Sequence, residues 1–284
     1  MKTIYNVYSD KIDKQSIDLA LISDIHYKNK YDTKRLDFLL RKYLMYKPNY
    51  ILILGDLIND SGISENDWRI LLAYIKLFAR ITKVYCVLGN HDTMTRNGNG
   101  WKLNVNERFI SALSEIEGLV LLNNETVILE EGISFTGINF LSDFYEKDKE
   151  NAEKYIHDVN TNFDTKLPND VYNVILQHSP NNLFDQNVVS QIPFYENADL
   201  AISGHQHNGC VPTYLNKIPT NRGIVGFVGP NMKFFLNNCR GIKFINKSLT
   251  GCVLSPVVTF SDGICQTVNP FFPVQEQYIR IRKK

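Results

Sequence analysis

Five short apolar runs along this chain each stop at a cluster of residues able to ligate a metal ion. The clusters are Ser23-Asp24-Ile25-His26, Gly55-Asp56, Gly89-Asn90-His91-Asp92, Gln177-His178 and Gly204-His205-Gln206-His207. Taken singly, each also reads as a turn, because Gly-Asp and Gly-Asn are ordinary turn chemistry and a lone His178 suits a hydrogen-bonded turn. Repetition is the constraint, since five of the six histidines fall in these clusters. In an α/β sheet the carboxyl ends of parallel strands gather at one edge, so clusters that follow successive strands converge there. The spacing Asp24-x-His26 sends two side chains to one face of a strand, where they can grip one ion. His205-x-His207 repeats that spacing with two imidazoles, a donor pair suited to a divalent metal.

Amphipathic segments separate the runs. Ile17–Ile25, Tyr50–Leu57 and Lys83–Leu88 read as strands, and Thr33–Tyr46 as a helix carrying Leu36, Leu39, Leu40 and Tyr43 on one face and closed by Pro48. Ser64 and Asp67 resemble a capping box opening a helix to about Arg80, with Trp68, Leu71, Leu72, Ile75 and Phe78 on its apolar face. An Asn/Gly-rich loop at 95–100 precedes a helix near Val105–Glu117, stopped by Gly118. Further on, 119–122, 126–129, 133–138, 171–176 and 199–202 are short β runs. One helix and a loop are expected in 142–168, and a helix around Asn181–Ser190. From Val211 onward, runs including Lys243–Ile245, Val253–Phe260 and Gln277–Ile281 suggest antiparallel strands. This is βαβ rhythm in a single unit, 1–284, with the motifs in 18–208 and a β-rich part in 209–284.

Of 284 residues, 44% are apolar and 21% charged, and the net charge is +1. That balance offers no basic surplus pointing to nucleic acid. The N-terminal stretch lacks an apolar core or a small-residue cleavage site, and no uncharged run approaches the ~20 residues needed to cross a bilayer. Cys86, Cys210, Cys239, Cys252 and Cys265 show no CxxC spacing. An odd number of scattered thiols argues against a disulfide framework and fits a reducing cytoplasm. Cys86 and Cys252 sit in apolar runs and read as buried thiols. The tail Arg280-Ile-Arg-Lys-Lys284 reads as a frayed basic terminus, with contact to nucleic acid or to an anionic membrane surface as the alternatives.

The order DxH, GD, GNH[DE], H, GHxH resembles the calcineurin-like metallophosphoesterase superfamily, with every motif present between Asp24 and His207. The resemblance implies an α/β (α+β) fold in which two mixed β-sheets pack face to face between helices, with metals at one edge of this αββα sandwich. It implies two divalent metal ions, Mn, Fe or Zn. One would lie on Asp24, His26, Asp56 and His207, the other on Asp56, Asn90, His178 and His205, with Asp56 bridging. The implied activity is hydrolysis of a phosphodiester, pyrophosphate or phosphomonoester by a metal-activated hydroxide. His91 would contact the phosphate and protonate the departing oxygen, with Asp92 holding its imidazole, and Asn90 also facing substrate. Where the family commonly shows GHxHGG, this chain has Asn208, a residue that either alters backbone freedom or adds a pocket donor; Tyr27, Lys28, Asn59, Asp60 and Trp101 of the 93–101 loop are further candidates for substrate contact. The expected partner is a small phosphate ester or pyrophosphate. Alternatives are a nuclease or lipid-pyrophosphate hydrolase of the same superfamily and, in another class, a non-catalytic interaction scaffold.

Overall fold

The computed structural model describes residues 2–29, 32–97, 100–139, 152–163, 166–212, 215, 220–228, 231–246, 248–259, 269 and 272–284. Its strands are β1 (Lys2–Ser9), β2 (Ser16–Ile22), β3 (Tyr50–Leu54), β4 (Val84–Val87), β5 (Met94–Asn97), β6 (Gly100–Leu103), β7 (Leu119–Leu121) and β8 (Glu125–Leu129). There follow β9 (Ile133–Ile138), β10 (Tyr172–Gln177), β11 (Leu200–Ser203), β12 (Val225–Val228), β13 (Asn231–Phe234), β14 (Gly241–Phe244), β15 (Thr250–Val253) and β16 (Glu276–Lys283). The longer helices are α1 (Thr33–Tyr46), α2 (Glu65–Ile81), α3 (Glu107–Ser114) and α4 (Ala152–Asn162).

Two six-stranded mixed sheets form the centre, ordered β1-β16-β2-β3-β4-β7 and β14-β15-β11-β10-β9-β8. Strands β2, β3, β4 and β7 run parallel, as do β15, β11, β10 and β9. Period-two alternation assigns each strand's residues to two layers. Leu52, Leu54, Tyr85 and Val87 point inward against Phe135, Val174, Leu176, Leu200 and Ile202, forming the core between the sheets. The alternate residues Ile51, Ile53, Val84 and Cys86 face α1, α2 and α3. On the far side, Ile175 and Ala201 meet Tyr155 and Val159 of α4. Leu52 and Leu54 are fully buried, and truncating such a leucine to alanine typically costs ~2–5 kcal/mol.

The helices follow their sequence signals. Ser64 caps α2, its side chain accepting from the Asp67 amide, and Trp68, Leu71, Leu72, Ile75 and Phe78 are all buried. In α3 the Asn106 side chain caps by accepting from the Phe109 amide, so this helix is shorter at both ends than expected. Cys86 and Cys252 are buried free thiols.

Five expectations are corrected. The N-terminal segment, to which no element was assigned, is β1, an edge strand paired in parallel with β16. The tail is therefore not frayed: β16 lies between β1 and β2, and Arg280 makes a bidentate pair with Asp18 at 2.6 and 2.8 Å. The 95–100 loop belongs to a hairpin, β5 and β6. The helix expected over 181–190 divides into a 3₁₀ turn (Asn182–Phe184) and one helical turn (Gln186–Val189), because Asp185 takes an extended conformation and caps the second piece. The strand expected over 253–260 ends at Val253, and β15 and β16 each have one parallel neighbour, so the C-terminal part is mixed rather than antiparallel. Of the segment 142–168, α4 (Ala152–Asn162) is present, and residues 142–151 and 164–165 lie outside the described residues.

Candidate metal centre

The two strands expected to run on into their clusters, to Ile25 and to Leu57, end before them. β2 ends at Ile22, β3 at Leu54 and β11 at Ser203, and the donors that follow adopt left-handed backbone: Asp24 (φ 53°), His26 (45°), Asp56 (51°), His205 (64°) and His207 (47°). Residues other than glycine uncommonly adopt this region, and each that does stores strain that the surroundings must hold. The same-face argument for Asp24 and His26 is therefore corrected: tight turns, not strand alternation, bring them together.

Backbone hydrogen bonds lace these turns to one another. The Asp24 amide donates to the Gly55 carbonyl at 3.1 Å, His26 to Asp56 at 2.9 Å, and Gly204 to His178 at 2.9 Å. The motif glycines permit this closeness. A Cβ on Gly55 would lie 2.6 Å from the Gly89 nitrogen and 2.7 Å from His178 Nδ1, and one on Gly204 would strike Ser23 Oγ.

Two groups of donors result, Asp24, His26, Asp56 and His207, and Asp56, His178 and His205, with the donor atoms of each group within 4.8 Å of one another. Asp56 belongs to both. Its Oδ2 lies 3.1 Å from His178 Nε2 and 3.6 Å from His26 Nε2. His207 Nε2 lies 3.4 Å from Asp24 Oδ1 and 3.1 Å from His26 Nε2, and His205 Nδ1 lies 3.2 Å from His178 Nε2. Backbone carbonyls set the tautomers: His178 Nδ1 donates to Leu54 at 2.7 Å and His207 Nδ1 to Thr259 at 2.6 Å. That leaves both Nε2 lone pairs facing the centre, as outer partners of metal-ligating histidines do. Asn90 Oδ1 is buried with no hydrogen-bond partner among the described residues. Converging imidazole lone pairs, two carboxylates and an unsatisfied amide oxygen are a donor set that fits divalent cations.

The electrostatics are those of carboxylates held ionised against their burial. Burial alone would raise Asp24, but a hydrogen bond and charge from His207 and the charge of His178 bring it to about 2. For Asp56 the opposition of burial is outweighed by His178 and His91, and it lies well below the usual range. His178 would be lowered by burial, yet Asp56 pulls it up to about 10, while burial and the His178 charge push His205 down to about 3.

The remaining predicted residues divide. His91 borders the cluster, its ring 4.5 Å from that of His26, and its amide donates to Asp56 Oδ1 at 2.9 Å. The group on His91 Nδ1 is the Asn59 carbonyl, at 2.7 Å, where sequence reading expected Asp92. Asp92 instead accepts from the Gly89 amide at 2.8 Å and the Ile58 amide at 3.1 Å, clamping the turn. Burial and the Asp56 charge raise Asp92 to about 7, opposed by those two amides. Tyr27 is fully buried and packs in the helix-side core. Of the two roles expected of Asn208, the backbone one fits its surroundings: it is buried, donates to the Val211 carbonyl at 2.6 Å and accepts from Ser255 at 3.0 Å. Its φ of 58° explains an Asn where the motif commonly has Gly, since Asn tolerates this conformation better than most residues. Lys28 and Asp60 are half-buried; the Lys28 amide donates to Asp32, and Asp60 accepts from the Gly62 amide and Thr95. The Trp101 side chain lies outside the described residues. Sequence reading missed Phe227, whose ring centroid lies 5.5 Å from that of His207 and 6.2 Å from that of His205. It missed Gln206, which holds Phe227 in place through its main-chain amide and carbonyl.

Residues 17–209 match the family model of the calcineurin-like phosphoesterases. Among solved structures, the chain is similar to TT1561 of Thermus thermophilus, with a TM-score of 0.50, 9% identity, and 85% of this chain and 90% of that chain covered. It is also similar to a dimetal phosphatase from Danio rerio, with a TM-score of 0.45, 12% identity, and 85% and 88% covered. At such identities the likeness is one of fold. No curated protein matches the chain. The family match spans more than half of the sequence and contains every cluster described above, so the chain belongs to the calcineurin-like phosphoesterases.

Proposed function

We propose that this protein is a dinuclear-metal phosphoesterase hydrolysing a phosphodiester, pyrophosphate or phosphomonoester bond. The observation that carries the reading is the pair of donor groups sharing the buried Asp56. In this reading Asp24, His26, Asp56 and His207 hold one cation, and Asp56, Asn90, His178 and His205 the other. The family usually binds two divalent metals, and Mn, Fe or Zn suits these donors. When bound, two such cations supply positive charge for phosphoryl oxygens and lower the pKa of a water molecule.

The protein's own part is positioning and proton transfer. Asp24 and Asp56 offset much of the cationic charge, and the imidazoles and the Asn90 amide add none, so the pocket attracts phosphate. With Nδ1 committed to the Asn59 carbonyl, Nε2 is the His91 nitrogen that can deliver a proton to the departing oxygen. Asn90 and His91 are thereby the first substrate contacts, and Asp92 acts on them by fixing the 89–92 turn. The whole chain serves as one domain in this reading, since β14, β15 and β16 complete both sheets. Free buried thiols are compatible with a reducing cytoplasm, and no helix among the described residues is long and apolar enough to cross a membrane.

The test is metal content together with hydrolysis of bis-(p-nitrophenyl) phosphate and p-nitrophenyl phosphate, with added Mn²⁺, for wild type and Asp56→Asn. Two bound metals and turnover that depends on Asp56 are expected. A metal-free, inactive wild-type protein would refute the reading and favour a binding scaffold.

A further inference from the structure

Beside the metal centre, the hairpin of β12 and β13 exposes apolar side chains that no described residue covers. Met232 is 65% exposed, Phe234 71% and Phe235 72%. Soluble surfaces rarely gather large apolar side chains this way without a ligand or partner for them. The pairing of Phe227 with Met232 and of Val225 with Phe234 sets these four residues on one face of the ribbon. Phe227 lies against the rings of His205 and His207, so the apolar face runs outward from the candidate site. Phe235 adds a second sign of selection. A bulky aromatic at φ 55° carries backbone strain, and here it leaves its ring in water.

The charge along this part of the chain is one-sided. From Leu200 to Ser261 the sequence has no Asp or Glu, while it carries six Lys and Arg, of which Arg222, Lys233 and Lys243 are exposed among the described residues and Arg240 is buried. With a net charge of only +1, the rest of the chain is net negative. Lys233 stands between Met232 and Phe234 and is itself exposed. Apolar tips that can enter the acyl boundary, in a stretch that carries cations and no acid, match an anionic lipid surface in both chemistry and sign. A neutral or basic protein partner would be equally served by the apolar face but would not call for the absence of acids.

We propose that the β12–β13 hairpin docks this protein onto an anionic bilayer, with Met232, Phe234 and Phe235 in the acyl boundary and Lys233 among the headgroups. The metal centre then faces phosphate esters at the bilayer surface. Docking does not depend on the phosphoesterase reading, because it is read by binding and not by turnover.

The experiment is flotation of the full chain with vesicles of phosphatidylcholine alone and of phosphatidylcholine mixed with phosphatidylglycerol. The wild type should float with the mixed vesicles, weakly with neutral ones, and less in high salt. The triple variant Met232→Ser, Phe234→Ser, Phe235→Ser should lose flotation by tenfold or more while keeping its circular dichroism and its hydrolysis of a soluble ester. Lys233→Glu should weaken binding to the mixed vesicles alone. Failure of the wild type to float with either vesicle, or flotation undiminished in the triple variant, overturns the proposal. A concentration-dependent dimer that the triple variant abolishes, without vesicle binding, assigns the face to a second copy and overturns it equally.

Discussion

The two sheets contribute different chemistry to one site. The first brings both carboxylates and the amide, Asp24, Asp56 and Asn90, together with His26, from loops after the adjacent parallel strands β2, β3 and β4. The second brings only imidazoles, His178, His205 and His207, after β10 and β11. All the negative charge that would neutralise cations thus comes from one layer, while the opposite layer adds neutral donors. Removing a carboxylate from the first layer changes the charge of the site; removing a donor from the second changes only its coordination.

That contrast orders the expected effects. Asp56→Asn should be the most damaging change, abolishing turnover and both metals together, because it deletes a charge shared by both groups. His91→Ala belongs to the first layer but to neither donor group. It should slow turnover by roughly 10²–10⁴-fold, the usual range for a lost acid, with two metals still bound. Unchanged turnover in that variant, measured beside its metal content, would remove His91 from the chemistry.

The layers should also separate in pH when the protein is freed of metal. Asp24, held at about 2 against an ordinary 3.8, contributes stability that is present above about pH 4 and lost as pH falls toward 2. His178, raised to about 10 from 6.5, contributes stability present below pH 6.5 and lost as pH rises through 10. Asp92, also raised, loses its contribution between 3.8 and about 7, so above pH 7 the fall that continues toward 10 is that of His178. Denaturant unfolding of His178→Ala should flatten that alkaline fall, while the acid limb of Asp24 persists in reduced form, because His207 still holds that carboxylate low without the His178 charge. An equal slope in wild type and variant would assign it elsewhere.

The smallest effect should lie away from both groups. Arg280→Ala removes the pair with Asp18, which is partly exposed, and should cost about 1 kcal/mol, a few degrees in the melting temperature. Metal content should not change. If it does, the edge of the first sheet is coupled to its metal-bearing loops.

Particular residues show how far sequence reading reached. Ser64 and the Trp68 to Phe78 stripe were legible because capping and helical periodicity are local. The donor clusters were legible because their side-chain types recur after apolar runs. β1 was not, since its alternation of Tyr, Asn and Val becomes a strand only through β16, from the other end of the chain. The 181–190 helix was misread because Asp185 competes locally as a cap. Asp92 was assigned to His91 by adjacency, whereas the carbonyl that holds the imidazole comes from Asn59, and backbone atoms leave no mark in a residue string.

Residue order alone was enough to show the alternating strands and helices, the donor clusters and, through the order of those clusters, the family whose fold has two packed sheets, because apolar periodicity and donor chemistry are carried by the side chains themselves. Only the packed chain decided that five of those donors sit in left-handed turns, that carbonyls of Leu54, Thr259 and Asn59 set the imidazoles, and that Met232, Phe234 and Phe235 stand in solvent beside them. Each of these depends on how distant segments meet, and strain, tautomer and exposure arise only where they do.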